Sequence, residues 1–178
     1  MRKKFWGILP LEECLAYLFF TQNNEVQKII HELKYNGNNE IGFTMGQAFG
    51  HFIMSFDKLD DIDFIIPTPL HKKREDQRGF NQAEIIANGV SNIIKVPVLN
   101  NVLRRVVNNK SQTKRNRTDR RINTDNIFKV QNLKLLQGKH ILLIDDVITT
   151  GATIISCGNS LLRVNDLKLS VASLAVAN

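Results

Sequence analysis

Two adjacent aspartates, Asp145 and Asp146, follow four consecutive apolar residues in ILLIDDVITTGAT, residues 141–153. Such an apolar run reads as a buried strand, and the acids are expected to terminate it at one edge of a sheet. Neighbouring carboxylates repel each other, and hydroxyl donors or a cation must offset the repulsion. The 2′- and 3′-hydroxyls of a ribose supply two donors, and a metal ion would supply charge. Thr149, Thr150, Gly151, Ala152 and Thr153 come next and lead into a helical pattern. Successive N–H groups, hydroxyls and the positive end of a helix suit a phosphate there. Gly151 permits close backbone approach or an unusual dihedral. The segment lacks the G-x-x-x-x-G-K-[ST] lysine, so a nucleotide triphosphatase loop fits poorly. A capped strand–turn–helix accounts for one threonine, but not for two acids and three threonines together. The chemistry expected is that of a sugar-phosphate site.

The surrounding elements must place these residues. DFIIP, residues 63–67, is a short apolar strand stopped by Pro67, and Pro69 keeps the following TPLHKKR a loop. GFNQAEIIANGVSNII is an amphipathic helix with Phe80, Ala83, Ile86, Ala87 and Val90 on one face. VPVL and IFKV are short strands, QGKHILLIDD a strong one, GATIISCGNSLLR a helix and LKLSVASLAVA a last strand. Continuous apolar strands alternating with helices predict an α/β fold with a parallel sheet covered on both faces. From Leu11 to about Phe56 the pattern reads as helical, with Val26, Ile29, Ile30 and Leu33 at helical spacing after an Asn23 or Asn24 cap. A turn at residues 36–39 separates this helix from a second one through Met45, Phe49, Phe52 and Ile53. The 178 residues suit one domain: a helical layer over residues 1–58 and a sheet core over 62–178.

Composition excludes several classes. The apolar stretch LPLEECLAYLFF is short and broken by Glu12 and Glu13, so no membrane insertion is expected. The basic start MRKKFWG lacks a secretory pattern, and a cytoplasmic protein is expected. Cys14 and Cys157 are the only cysteines and form no C-x-x-C pair, so both read as small buried hydrophobes. The net charge of +7 is local. Residues 104–121 hold eight of the 24 basic residues and one of the 17 acidic ones, so the remainder balances at 16 of each. This is an anion-binding segment in an otherwise neutral chain, and its lack of apolar periodicity predicts a mobile loop over about residues 108–123.

ILLIDDVITTGAT resembles, along its whole length, the phosphoribosyl-diphosphate-binding motif of type I phosphoribosyltransferases. PTPLHKKREDQRGFNQAEIIA, residues 67–87, and SQTKRNRTDRRIN, residues 111–123, resemble the ComF family, which is associated with natural competence and DNA uptake in bacteria. IIHELKYNGN fits that family too, and the motifs occur in its order. The resemblance covers nearly the whole chain from about Val26 and implies a type I phosphoribosyltransferase-like fold with an N-terminal helical layer or hood.

For the site, the resemblance implies phosphoribosyl diphosphate as the ligand, with Asp145 and Asp146 engaging ribose and, indirectly, Mg²⁺. The loop from Pro67 to His71 would hold the diphosphate through backbone N–H groups of Thr68, Leu70 and His71, which the two prolines cannot supply. Arg78 in RGFNQ would bind phosphate oxygens in a fork. The basic loop would close over the site, with Lys114, Arg115, Arg117, Arg120 and Arg121 as candidate cations for the departing diphosphate. An oxocarbenium-like ribosyl centre would then be captured by a nitrogen nucleophile.

The cysteine-rich N-terminal zinc module of many ComF relatives has no counterpart in this sequence. No C-terminal hood is expected after the last strand, so an acceptor is expected to meet the N-terminal helices around His31 to Phe49, where no base-recognition set stands out. That disfavours ordinary nucleobase salvage. The basic loop also supports a non-enzymatic alternative, electrostatic binding of single-stranded DNA. Aromatic residues are not interleaved in it, the nearest being Phe128. Partners expected from the resemblance are competence and DNA-uptake proteins, and a homodimer is compatible with it.

Overall fold

The computed structural model describes residues 1–21, 25–35, 39–70, 76, 79–106 and 127–177. Its centre is β5 (His140–Ile148), where Ile141, Leu142, Leu143 and Ile144 are all fully buried. Full burial of a strand requires cover on both faces, and an unbroken apolar run provides it. β5 lies between β2 (Phe64–Pro67) and β6 (Lys168–Ala177), and β1 (Cys14–Phe20) completes the order β1-β6-β5-β2, with every pairing parallel. The expected parallel α/β sheet is present.

Alternation along the strands divides the core in two. Ile66, Ile141, Leu143, Leu169 and Val171 belong to one cluster with Leu136 of the one-turn α4 (Leu133–Leu136), Ile154, Cys157 and Leu161 of α5 (Ala152–Leu161), and Phe5 and Leu9. On the opposite face, Ile65, Leu142, Ile144, Ala172 and Leu174 meet three helices: α1 (Glu25–Tyr35), α2 (Asn39–Ile53) and α3 (Gln82–Ile94). α2 and α3 touch backbone to backbone. A Cβ on Gly46 would lie 2.4 Å from the carbonyl oxygen of Ile86, and one on Gly89 2.2 Å from that of Phe43. Only glycine fits at such a crossing.

Four local readings are corrected. Residues 14–20, expected within a helical layer, form β1 at the edge of the sheet. CLAYLFF is a short apolar run that periodicity alone leaves open between helix and strand, and its aromatic side chains favour a pleated surface. VPVL contributes a single bridge, Val98 to Ile65, because Pro97 has no N–H to extend the ladder. IFKV leaves the main sheet: β4 (Phe128–Val130) pairs antiparallel with β3 (Leu103–Arg105). The aspartates sit inside β5 and do not end it, since β6 continues alongside and pairs with Val147 and Ile148. The caps at Asn23 or Asn24, the turn at 36–38 and the basic loop lie outside the described residues.

The opposite edge of the sheet is pinned by a polar chain absent from the sequence reading. Buried His140 lies with Nδ1 2.5 Å from Oδ1 of Asp61 and Nε2 2.8 Å from the Ser170 hydroxyl. A carboxylate only accepts, so Nδ1 carries a proton toward Asp61. Ser170 Oγ accepts in turn from the backbone N–H of Glu13 at 3.2 Å. Asp63 adds a second clamp on the start of β5, accepting from His140 N and from the Lys139 ammonium, both at 2.8 Å. Ser170 is fully buried, so this Asp–His–Ser sequence locks strands together and presents no nucleophile.

Candidate functional site

At the carboxyl-terminal side of β5 and β2 the loop after β2 crosses the end of the sheet. Thr68 donates its hydroxyl to Oδ1 of Asp145 at 2.7 Å, and the same oxygen accepts from the backbone N–H of Asp146 at 3.0 Å. Asp146 accepts through its own Oδ1 from Val147 N at 2.7 Å. Strand alternation turns the two side chains apart. Part of the repulsion that a ligand was expected to relieve is therefore met by the protein itself.

The loop is fixed from both sides. Thr68 N–H donates to the carbonyl of Ile144 at 2.8 Å, and the Asn81 amide donates to the carbonyl of Thr68 at 3.0 Å. Asn81 also caps α3, accepting from Ala83 N at 3.1 Å. The expected role of Thr68 is thus corrected: its N–H is committed to β5 and is not offered to a diphosphate. Its hydroxyl positions Asp145 instead.

Gly151 caps α5 with φ +80°, in the left-handed region that side chains disfavour. A Cβ there would also stand 2.8 Å from Cε1 of Phe5, which is buried beneath the loop. Both constraints make glycine necessary. Thr149, Thr150, Ala152 and Thr153 are exposed around it, and Thr150 Oγ1 accepts from Ala152 N at 3.4 Å. The open helix end and these hydroxyls form a surface suited to a phosphate.

These elements enclose a cavity of about 410 Å³, a size that accommodates a small phosphorylated ligand. One wall is Thr68, Leu70, Asp145, Asp146, Thr149 and Thr153. Phe20 from β1 and Gln27, Ile30 and His31 from α1 also line the cavity. Arg105, on β3, also lines it, with its guanidinium 5.7 Å from the centroid of the Phe128 ring. Thr150, Gly151 and Ala152 shape the loop before α5 without lining this cavity. His71, Arg78, Lys114, Arg115, Arg117, Arg120 and Arg121 lie outside the described residues.

Phe20, Gln27 and Arg105 were missed by the sequence reading. Phe20 lies in a segment whose local pattern reads as helix, and Arg105 is one charge among many in a basic stretch. Beneath the site, Cys157 is fully buried and its thiol is held well above the usual range. Burial is the main cause; the Asp145 charge adds to it and Arg105 opposes it. This cysteine packs and does not react. Among the described residues no group of three or more His, Cys, Asp or Glu side chains is placed to cage a metal ion, and no helix is long and apolar enough to cross a membrane.

The phosphoribosyl transferase domain family matches residues 76–177. Competence protein ComFC of Bacillus subtilis is 32% identical over 137 residues, covering 76% of this chain and 52% of that protein. Competence protein F of Haemophilus influenzae is 35% identical over 114 residues, covering 64% of this chain and 50% of the relative. The chain thus spans about half the length of these curated relatives. Among solved structures, the glutamine phosphoribosylpyrophosphate amidotransferase of B. subtilis, complexed with ADP and GMP, superposes with a TM-score of 0.52. It is 12% identical, over 79% of this chain and 30% of that one, a likeness of fold. A match over more than half of the chain, on a parallel sheet of the same architecture, makes this protein a member of the phosphoribosyl transferase domain family, ComF-like in sequence.

Proposed function

We propose that the protein binds phosphoribosyl diphosphate with Mg²⁺ and transfers the phosphoribosyl group to a nitrogen nucleophile, as a cytoplasmic participant in DNA uptake. The observation carrying this reading is the convergence of Asp145, held by Thr68, with Asp146, Thr149 and Thr153 in one cavity at the end of the sheet. Asp145 and Asp146 receive the ribose hydroxyls, and the loop around Gly151 receives the 5′-phosphate. The two carboxylates fit a cation that arrives with its substrate, since Mg²⁺ is commonly held by one or two carboxylates plus phosphate oxygens and water. When bound, it would neutralise charge on the diphosphate. Phe20, Gln27, Ile30 and His31 line the space an acceptor would occupy. The names of the relatives, competence proteins and, in Escherichia coli, DNA utilization protein YhgH, support the cellular role.

Calorimetric titration with phosphoribosyl diphosphate and Mg²⁺ tests this reading. Saturable binding that Asp145→Ala weakens by about tenfold or more is expected from losing charge-assisted hydrogen bonds. Absence of binding, or an Asp145→Ala variant indistinguishable from the parent, would overturn it. A second reading, single-stranded DNA binding, is favoured by the charge gathered in residues 104–121. Affinity that falls steeply with salt supports it, and a flat response excludes it.

A further inference from the structure

β3 carries two adjacent arginines with different surroundings. Alternation along a strand sends successive side chains to opposite faces. Leu103 is buried, Arg104 is exposed, and Arg105 is half-buried and lines the cavity that holds Asp145 and Asp146. The Arg105 guanidinium is firmly mounted. Its Nε is shut off from solvent, and its Cζ lies 5.7 Å from the ring centroid of Phe128, its partner across the ribbon. The face of an aromatic ring attracts a cation at that range. The ribbon is in turn fixed to α5. The Ser160 hydroxyl is shared between the carbonyl of Ser156, one turn back on α5, at 3.0 Å and that of Phe128 at 3.2 Å. Leu103 and Phe128 belong to the same core cluster as Ile154 and Cys157. Arg105 therefore stands on the α5 flank of the cavity, where Thr149 and Thr153 also line it. Cys157, one turn beyond Thr153, feels the charges of both Asp145 and Arg105.

Charge makes this position matter. Among the described residues lining the cavity, Asp145 and Asp146 are the acids and Arg105 is the one arginine or lysine. A phosphate monoester brings about −1.5 to −2 charges at neutral pH, and a helix N-terminus offsets roughly half a charge. Beside two carboxylates the helix end alone is outweighed. A guanidinium adds a full positive charge and a fork of donors matched to phosphate oxygens.

We propose that Arg105 selects a phosphorylated ligand at this site, taking the sugar's phosphate at the start of α5 while Asp145 and Asp146 take the sugar hydroxyls. This role rests on the sugar-phosphate reading of the cavity, and it needs neither transfer chemistry nor the basic loop.

Ribose 5-phosphate and inorganic pyrophosphate, titrated calorimetrically into the full chain with Mg²⁺, probe the two ends of the ligand separately. Arg105→Gln should weaken ribose 5-phosphate binding by about tenfold or more, from the loss of charge-assisted bonds. Pyrophosphate binding should stay nearly unchanged. Arg105→Lys should recover part of the loss, as a point charge without the fork. Arg104→Gln, on the opposite face, should match the parent. The pH dependence separates recognition from a merely structural role. Parent affinity for ribose 5-phosphate should rise as the phosphate loses its second proton near pH ~6, and Arg105→Gln should flatten that rise. Unaltered circular dichroism in the variants ties the losses to the site, and Arg105→Lys carries the same comparison if the glutamine variant loses its fold. Equal ribose 5-phosphate affinity in Arg105→Gln and the parent would overturn the proposal and leave the sugar-phosphate reading standing. A loss confined to pyrophosphate would do the same. A parent that binds neither ribose 5-phosphate nor phosphoribosyl diphosphate would overturn both.

Discussion

Thr68 and Asp145 are 77 residues apart in sequence and 2.7 Å apart between Oγ1 and Oδ1. The bond joins the loop after β2 to the strand that carries both acids, and it makes the orientation of the Asp145 carboxylate depend on the loop that holds Thr68. Thr68→Val removes the donor while nearly keeping the shape. Affinity for phosphoribosyl diphosphate should fall about tenfold, the worth of one hydrogen bond to a charged group, and Thr68→Ser should restore it. Equal titration curves for Thr68→Val and the parent would remove the positioning role.

Gly151→Ala meets two obstacles, a left-handed φ of +80° and the Phe5 ring 2.8 Å from the new methyl. Together they should cost about 1–3 kcal/mol in denaturant unfolding. Phe5→Leu in the same chain should return part of the loss, because it relieves the contact but not the dihedral.

Asp61 and Asp63 are both held below the ordinary carboxylate value of 3.8. Hydrogen bonding to the His140 side chain is the main cause for Asp61, and to Lys139 for Asp63. A depressed folded pKa contributes stability that is complete above the unfolded value and is lost as pH falls through the folded one. The acid limb of a stability profile should therefore steepen as pH drops below 3.8, and Asp61→Asn should flatten part of it. An unchanged limb in Asp61→Asn and Asp63→Asn would show that other groups govern acid unfolding.

Cys14 and Cys157 are buried, and burial lifts the Cys157 thiol further from ionisation. Thiol-disulfide reagents attack the thiolate. At neutral pH the native protein should therefore react slowly with a chromogenic disulfide and release two equivalents only when denatured. Rapid native labelling of Cys157 would contradict its placement beneath Asp145.

Much of the site could be read in residues 141–153, because an apolar run, two acids and a threonine-glycine loop each have a narrow structural meaning. What escaped depended on neighbours far away in sequence. Cys14–Phe20 is strand and not helix because β6 lies beside it, a partner that seven local residues do not announce. The Thr68 N–H was assigned to a ligand because its acceptor, Ile144, belongs to another strand. Arg105 gains its place only through the ribbon that β3 makes with β4. In each case local pattern supplied the type of residue and long-range pairing decided its use.

The strand order also bears on how the chain folds. β6 sits between β1 and β5, so the edge strand has no partner until a segment far downstream has been made; Glu13 and Ser170, joined across that junction, are 157 residues apart. Closing so long a loop before any sheet contact rewards it slows folding. During synthesis the apolar run of β1 must wait unpaired until the far downstream β6 has emerged, and an unpaired apolar strand is exposed to mispairing for all of that time.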